Sequence, residues 1–216
     1  ADRMLASVRS TAAVTLTSRA DATNLVALRR QFQAAAAGAD AFVPSYTELI
    51  ARLAAGVLAQ HPRLNACWQN DGLLEVDSVN LGIAVDTDAG LVVPVVKGAE
   101  RLSLRDLAGR VRAAIERARQ RRLSTDDLSG GTFTITSLGM FGVDAFTPIL
   151  NPPQVAILGV GRITREPAAV DEQVAIRDSL WLSLTFDHRA VDGAPAAKLL
   201  SDLRAAIENP GPRLVA

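Results

Sequence analysis

Residues 186–193 read Phe-Asp-His-Arg-Ala-Val-Asp-Gly, and the interpretation of the whole chain starts from them. An apolar, strand-like run at 180–185 precedes this octapeptide, and a helix-like run at 195–208 follows it. Loops at the end of a strand are where a rigid scaffold commonly presents reactive side chains. The chain has only two histidines, His61 and His188. His188 lies inside the octapeptide, so it is the first candidate for a catalytic base.

The composition excludes several broad classes of protein. The chain has 216 residues, 49% of them apolar, and its 23 basic residues balance its 23 acidic ones. Balanced charge argues against a surface that coats nucleic acid. No apolar run approaches the ~20 residues of a membrane-spanning helix, and the N-terminus has no signal-peptide pattern. We therefore expect a cytoplasmic protein without nucleic-acid or membrane partners, and, because it begins with Ala1, a fragment of a longer one.

A single cysteine limits the chemistry further. Cys67 alone excludes an internal disulfide and a cysteine-based zinc site, and we expect it to be a small buried hydrophobic residue. The acidic run at 86–90 contains too few ligands for a calcium loop, and a polar turn between strands is favoured there. We therefore expect no metal.

Hydrophobic periodicity predicts strands and helices in mixed order along the chain. Ser45 and Glu48 form a capping-box pattern at the start of one helix, and His61 is expected near the C-terminal end of that helix rather than in catalysis. Asn70, Asp71 and Gly72 are typical of a hairpin turn. Helices are predicted at 21–37, 45–60, 103–122 and 195–208, and strands at 12–19, 66–68, 73–76, 81–85, 91–96, 132–137, 155–160, 174–176 and 180–185.

Residues 130–139 are a second informative stretch, with the sequence Gly-Gly-Thr-Phe-Thr-Ile-Thr-Ser-Leu-Gly. Two glycines lead into an alternating strand that ends in hydroxyl side chains and another glycine. Glycine permits close approach of the backbone to another group. Taken alone, this stretch favours a strand preceded by a glycine-rich turn.

The octapeptide at 186–193 closely resembles the active-site signature of the dihydrolipoamide acyltransferases, the E2 components of 2-oxo acid dehydrogenase complexes. Chloramphenicol acetyltransferases and peptide-synthetase condensation domains share a looser His-x-x-x-Asp-Gly. Residues 81–97, 130–139 and the Asn-Pro-Pro-Gln at 151–154 are also similar to E2 segments. The resemblance covers nearly the whole chain, although Thr11-Ala12 replaces the Pro-His of many relatives.

The resemblance implies a chloramphenicol-acetyltransferase-like α/β (α+β) fold, with a mixed central sheet flanked by helices. It implies one catalytic domain at 1–216, without lipoyl or peripheral subunit-binding domains. The expected partners are two further copies in a homotrimer, a larger 24-mer or 60-mer core, the E1 and E3 components and a lipoyl domain. The active site would lie between subunits, with His188 of one chain facing Thr136 of the next.

Acyl transfer between two thiols fits the residues. A neutral imidazole at His188 can take the proton of a thiol, and the thiolate can then attack a thioester carbonyl. A hydroxyl can donate a hydrogen bond to the resulting oxyanion. The family's catalytic hydroxyl maps onto Thr136, with Ser137 in reserve. The expected substrates are coenzyme A, as acyl-CoA, and a lipoyl group carried on a separate domain.

Two roles are open for Asp192, four residues after His188. It can pair with Arg189 and fix the loop, or it can orient the imidazole as in a catalytic triad. The family resemblance implies the ion pair with Arg189. Gly139 and Gly193 complete the predicted site as supporting residues.

Some choices stay open on the sequence alone. Six arginines between 110 and 122 can form a phosphate-binding patch. The favoured interpretation is that these arginines complement the dipole at the C-terminal end of the helix. Two alternatives to an E2 enzyme are a catalytically silent structural core and a free-standing CoA-dependent acetyltransferase. Residues 81–97 favour branched-chain acyl or acetyl groups over succinyl.

Overall fold

The computed structural model describes residues 2–38 and 41–214. The helices are α1 (Asp2–Ser10), α2 (Thr23–Ala35), α3 (Tyr46–Leu58), α4 (Leu104–Arg119), α5 (Gly193–Glu208) and α6 (Pro210–Leu214). The strands are β1 (Ala13–Asp21), β2 (Ala66–Gln69), β3 (Gly72–Glu75), β4 (Leu81–Ile83), β5 (Val85–Thr87), β6 (Gly90–Val92), β7 (Val95–Val96), β8 (Phe133–Ser137), β9 (Ala156–Val170) and β10 (Gln173–Asp187).

The central sheet has six strands in the order β1-β10-β9-β8-β4-β7. Strand β8 runs parallel to both β4 and β9, whereas the β1–β10, β10–β9 and β4–β7 pairs are antiparallel. Helices α2, α3, α4 and α5 contribute side chains to a core that this sheet shares. The predicted fold class, a mixed sheet flanked by helices, is confirmed.

Helix α3 is capped as its sequence predicts. The Ser45 hydroxyl accepts from the backbone N–H of Glu48, and the Glu48 carboxylate accepts from the backbone N–H of Ser45. The carboxylate is buried, and Arg112 of α4 donates to both of its oxygens at 2.7 and 2.9 Å. Because a buried charge needs a partner, this pair ties α4 to the start of α3.

Several element boundaries differ from the sequence-based prediction. Strands β9 and β10 are each 15 residues long and form one extended hairpin, where separate short strands were predicted. Its turn, Asp171 and Glu172, has positive φ at both residues, which suits a tight hairpin connection. Cross-strand backbone pairing maintains the hairpin where hydrophobic alternation is weak. Helix α1 was not predicted, and α4 ends at Arg119 because Arg121 adopts φ 57°.

His61 follows helix α3, and its Nε2–H donates a 2.8 Å hydrogen bond to the carboxylate of Asp202 on α5. This contact joins two helices of the core, which supports the structural interpretation of His61. Within residues 2–38 and 41–214, no helix combines the length and apolar character that crossing a membrane requires.

Candidate active site

The octapeptide loop is fixed to the sheet at its start. Strand β10 ends at Asp187, whose backbone N–H donates to the Val155 carbonyl at 2.9 Å. The backbone N–H of His188 donates to the Ala12 carbonyl, also at 2.9 Å. Helix α5 begins five residues later at Gly193. The catalytic candidate is therefore held at a strand end, as its sequence position predicts.

An ion pair inside the loop joins Asp187 and Arg189. The Asp187 side chain is only 2% exposed, and the Arg189 Nη2 donates to its Oδ2 at 2.6 Å. Arg189 Nε lies 3.0 and 3.1 Å from the two carboxylate oxygens. The backbone N–H groups of Ala12 and Arg189 also donate to Oδ1. A fully satisfied buried carboxylate thus makes the loop rigid.

The predicted ion pair between Asp192 and Arg189 is wrong. Arg189 binds the buried Asp187, whereas the side chain of Asp192 is 82% exposed and its Oδ1 lies 3.9 Å from His188 Nδ1. The physical reason is that the buried carboxylate has the greater need for a cation. At 3.9 Å, the Asp192 carboxylate is too far from the imidazole for a hydrogen bond.

The contribution of the Asp187–Arg189 ion pair to the stability of the protein depends on pH. Burial acts to raise the pKa of Asp187, but hydrogen bonds from the Arg189 side chain, from its backbone and from Ala12 outweigh burial, so the net pKa lies below the usual range. A carboxyl group whose pKa is lower in the folded state stabilises the protein when it is ionised. Its contribution is complete above the unfolded-state value of about 4 and is lost as the pH falls through the folded-state pKa.

We expect Asp187→Asn to destabilise the protein at pH 7 and to matter less in acid. The difference in melting temperature between wild type and variant should be constant from about pH 6 to 8 and should shrink below about pH 4. Thermal unfolding at fixed protein concentration across this range measures it. A difference that grows in acid would contradict the direction of the pKa shift.

The His188 imidazole is accessible. Its side chain is 45% exposed, and its ring packs against the buried Phe186 ring with 5.7 Å between centroids. One ring face is thus supported by the core while the imidazole remains open to another molecule. This combination suits a base that takes a proton from an incoming thiol.

The second half of the predicted site lies along a cavity of about 690 Å³. Thr136, Ser137 and Gly139 line it, at the end of β8 where this strand pairs in parallel with β9. His188 is not among the lining residues. Within one chain, the candidate base and the candidate hydroxyl therefore occupy different places.

Gly139 is packed directly against backbone. A Cβ at this position would lie 2.6 Å from the Gly161 carbonyl oxygen and 2.9 Å from the Arg162 Cα, neither of which can move aside like a side chain. Gly193, in contrast, has open space around its Cβ position. Close packing explains glycine at 139, and nothing in the structure explains it at 193.

We expect Gly139→Ala to lower the free energy of unfolding by about 1–3 kcal/mol, as overpacking does, and to displace the segment that follows Thr136. Gly193→Ala is the matched control and should change stability by less than about 0.5 kcal/mol. Urea denaturation of both variants measures this difference. Equal effects of the two substitutions would contradict the packing argument.

Two features of the cavity were not predicted. A Cβ on Gly161 would overlap the Asp144 carbonyl oxygen, so the loop before Asn151 lies against β9 without space for a side chain. Arg162, on the cavity wall, donates to both carboxylate oxygens of Asp144 at 2.5 and 3.3 Å and fixes the same loop. The two glycines at 159 and 161, at the end of the predicted strand, were the available signal for such a close approach.

The arginines of α4 have separate roles. Arg112 pairs with Glu48, and Arg117 pairs with Asp127. Of the six arginines between 110 and 122, only Arg119 lines the large cavity. Arg110 and Arg117 line a separate cavity of about 240 Å³ together with Lys97, so these arginines are divided between two cavities.

The acidic run at 86–90 forms the β5–β6 hairpin, as favoured from the sequence. In the described part of the chain, no group of three or more His, Cys, Asp or Glu side chains is arranged to hold a metal ion. Cys67 is buried, and burial raises the pKa of its thiol. A thiol of this kind is a poor nucleophile.

Curated proteins that are similar in sequence to this chain have consistent descriptions. The dihydrolipoyllysine-residue acetyltransferase component of the acetoin cleaving system of Bacillus subtilis is 42% identical over 97% of this chain and 53% of its own length. The acetyltransferase component of the Mycobacterium tuberculosis pyruvate dehydrogenase complex is 38% identical over 96% of this chain and 39% of its own length. The Haemophilus influenzae succinyltransferase component of the 2-oxoglutarate dehydrogenase complex is 33% identical over 97% of this chain and 51% of its own. The chain spans about half the length of these relatives or less.

Two solved structures with a similar fold belong to the same kind of protein as these curated relatives. The dihydrolipoamide acetyltransferase of Azotobacter vinelandii, studied for the roles of a serine, a histidine and an asparagine in its mechanism, superposes with a TM-score of 0.93 at 34% identity, covering 99% of this chain and 88% of its own. The cubic core of a pyruvate dehydrogenase complex also gives 0.93, at 35% identity and with the same coverage. A chloramphenicol acetyltransferase, 11% identical over 96% of this chain and 92% of its own, gives 0.57, which confirms the predicted fold.

A family model described as 2-oxoacid dehydrogenases acyltransferase (catalytic domain) matches residues 1–215. This match covers almost the entire chain and includes both the octapeptide loop and the glycine-rich strand. The chain therefore belongs to the family of 2-oxoacid dehydrogenase acyltransferases, of which it contains the catalytic domain.

Proposed function

We propose that this chain transfers an acyl group between a dihydrolipoamide thiol and coenzyme A, as the E2 core of a 2-oxo acid dehydrogenase complex. The observation that carries the proposal is the octapeptide loop itself. It presents a half-exposed His188 imidazole on a backbone that the sheet and the Asp187–Arg189 pair hold rigid. A general base needs this accessibility and this fixed position.

Residue spacing in the Azotobacter vinelandii enzyme supports the assignment of the other residues. Its histidine and asparagine are four residues apart, as are His188 and Asp192 here. Its serine precedes the histidine by 52 residues, and Thr136 precedes His188 by the same 52. Threonine retains the hydroxyl of serine, so Thr136 rather than Ser137 is the proposed oxyanion donor. Asp192 stands where that enzyme has an asparagine.

The proposed reaction needs no nucleophile from the protein. In the direction that forms acyl-CoA, His188 removes the proton of the coenzyme A thiol, and the thiolate attacks the acyl-dihydrolipoamide carbonyl. The Thr136 hydroxyl donates a hydrogen bond to the oxyanion of the tetrahedral intermediate. The intermediate then expels the dihydrolipoamide sulfur, which takes the proton back from His188. One thioester bond breaks, one forms, and the imidazole ends neutral.

The separation of His188 from the Thr136 cavity within one chain supports a site shared by two chains. We propose a homotrimer in which His188 of one protomer meets Thr136 of the next. Further assembly into a 24-mer or 60-mer, with E1, E3 and a lipoyl domain as partners, follows the relatives, among them a cubic core. Residues 1–216 would then act as a single catalytic domain.

A small uncharged acyl group, acetyl or branched-chain, is the proposed cargo. The cavity wall near Thr136 is mostly aliphatic, and a succinyl carboxylate would need a cationic partner there. Of its two arginines, Arg162 is already paired with Asp144, and Arg119 lies at the end of α4. The curated acetyltransferases are also more similar in sequence than the succinyltransferase, at 42% and 38% against 33% identity.

The test is acyl transfer from a panel of acyl-CoA thioesters to free dihydrolipoamide, followed by chromatographic separation of free CoA from acyl-CoA, since the total number of thiols does not change in the reaction. We expect turnover with acetyl-CoA or a branched-chain acyl-CoA and much less with succinyl-CoA. No turnover with any thioester would support the silent structural core. Transfer to a small alcohol but not to dihydrolipoamide would support a free-standing acetyltransferase.

A further inference from the structure

One aromatic side chain outside the family motifs lies against the octapeptide loop. Trp68 belongs to the two-stranded sheet β2–β3, separate from the central sheet. The Cζ atom of Arg189 lies 5.2 Å from the centroid of the Trp68 ring, within the range of a cation–π interaction. Arg189 thus touches an aromatic ring while its N–H groups bind Asp187.

These two contacts of Arg189 are compatible. A guanidinium group is planar, so it can stack its face on an aromatic ring and still direct its N–H edge at a carboxylate. Arg189 is 40% exposed, and without the ring its flexible side chain would have more freedom to leave Asp187. The Asp187 carboxylate raises the pKa of Arg189, chiefly through its hydrogen bond with the guanidinium group. The charge of Asp71, in the β2–β3 turn, raises it further.

Trp68 itself is firmly placed. Its backbone N–H donates to the Pro153 carbonyl at 2.7 Å, and its neighbour Cys67 bridges to Gln154. The segment 151–154 runs directly into Val155, whose carbonyl accepts the Asp187 N–H. The backbone of Trp68 is therefore fixed relative to the strand end that carries His188.

We infer that Trp68 is a positioning residue for His188: its indole holds Arg189 on Asp187 and thereby limits the motion of the loop that carries the base. The inference rests on the proposed acyl transfer for its kinetic consequence, but its structural part does not. Loss of the ring should loosen the loop without altering the cavity along Thr136, which Trp68 does not line. The expected signature is a lower kcat with an unchanged KM.

Three variants isolate the contact. Trp68→Leu removes the ring, whereas Trp68→Phe retains an aromatic face. The indole Nε1 is buried with no hydrogen-bond partner in residues 2–38 and 41–214, so phenylalanine removes no hydrogen bond made there. Leu73→Ala is the control, because Leu73 is paired with Trp68 across β2–β3 and packs against the core. It weakens the same hairpin without removing the ring.

Two measurements are made on the complete assembled protein: steady-state acyl transfer, and hydrogen–deuterium exchange of the peptide that covers 186–191. A cation–π contact at a partly exposed site corresponds to about a two- to fivefold change. Trp68→Leu should lower kcat and accelerate amide exchange at His188 and Arg189 by that factor. Trp68→Phe should have a kcat and an amide exchange rate close to those of the wild type. Leu73→Ala should change neither kcat nor the exchange rate.

The outcomes separate the two proposals. Wild-type protein without transfer activity overturns the proposed function, and the exchange measurement then still tests the contact. Active wild type together with unchanged kcat and exchange in Trp68→Leu overturns the positioning role. A change in Leu73→Ala as large as that in Trp68→Leu also overturns it, since the hairpin rather than the ring would be responsible.

Discussion

Replacing His188 with alanine is expected to lower the rate of acyl transfer by about 10²–10⁴-fold, the usual contribution of a general base. The physical reason is that a thiol of ordinary pKa is mostly protonated at pH 7 and attacks a thioester slowly without a base. The side chain is 45% exposed, and its removal leaves the Asp187–Arg189 pair intact. Assembly should therefore be unaffected. The formation of free CoA, separated from acyl-CoA by chromatography, and the mass of the assembled particle measure the two effects.

The chain supplies its own control for this variant. His61 is the only other histidine, and it bonds Asp202 between two core helices rather than lining the cavity. His61→Ala should lose about 1 kcal/mol of stability from that hydrogen bond and retain its activity. Activity that survives in His188→Ala, or that disappears in His61→Ala, would contradict the assignment of the base.

Local patterns with a physical mechanism predicted their elements well. The capping box at Ser45 fixed the start of α3, and the turn at Asn70 and Asp71 identified the β2–β3 hairpin. The octapeptide was placed correctly between a strand and a helix. In the first two cases, residues close together in sequence determine the structure through hydrogen bonds that they make with one another.

The partner of Arg189 was not predictable in the same way. Asp187 and Asp192 are both close to Arg189 in sequence, and spacing does not reveal which carboxylate is buried. Burial depends on β1, which pairs with the end of β10, and on Ala12 just before β1, whose backbone N–H donates to Asp187 from the other end of the chain. The contact of Trp68 with Arg189 likewise depends on tertiary structure, because no local pattern joins a hairpin to a distant loop.

Removing the hydroxyl of Thr136 is the second substitution with a large expected effect. Thr136→Ala should lower kcat by about 10²–10³-fold, the value of one oxyanion donor in a preorganised site. Thr136→Ser keeps the hydroxyl and should remain within about tenfold of wild type, whereas Thr136→Val keeps the shape and should be as defective as alanine. Ser137→Ala is the neighbouring control and should have a small effect. If Ser137→Ala were the more defective of the two alanine variants, Ser137 rather than Thr136 would be the oxyanion donor.

Combining the two inactive variants tests where the site is assembled. If His188 and Thr136 come from different protomers, mixed trimers of His188→Ala and Thr136→Ala chains contain some interfaces with both side chains intact. Random co-assembly of equal amounts in a cyclic trimer gives about one quarter intact sites. Co-expressed chains with two different affinity tags, purified on both, should therefore regain a substantial fraction of wild-type activity.

The same experiment distinguishes a site within one chain. In that arrangement, every chain of the mixture lacks one of the two groups, and no combination of chains restores activity. Double-tag purification of separated trimers guarantees that each trimer assayed contains both variants, so absence of activity then cannot result from a failure to mix. Transfer activity should return in these particles and stay absent in particles built from the doubly substituted chain. That result would explain why one protomer keeps its imidazole away from the Thr136 cavity. The catalytic unit would then be the contact between two copies, and assembly would itself be a requirement for catalysis.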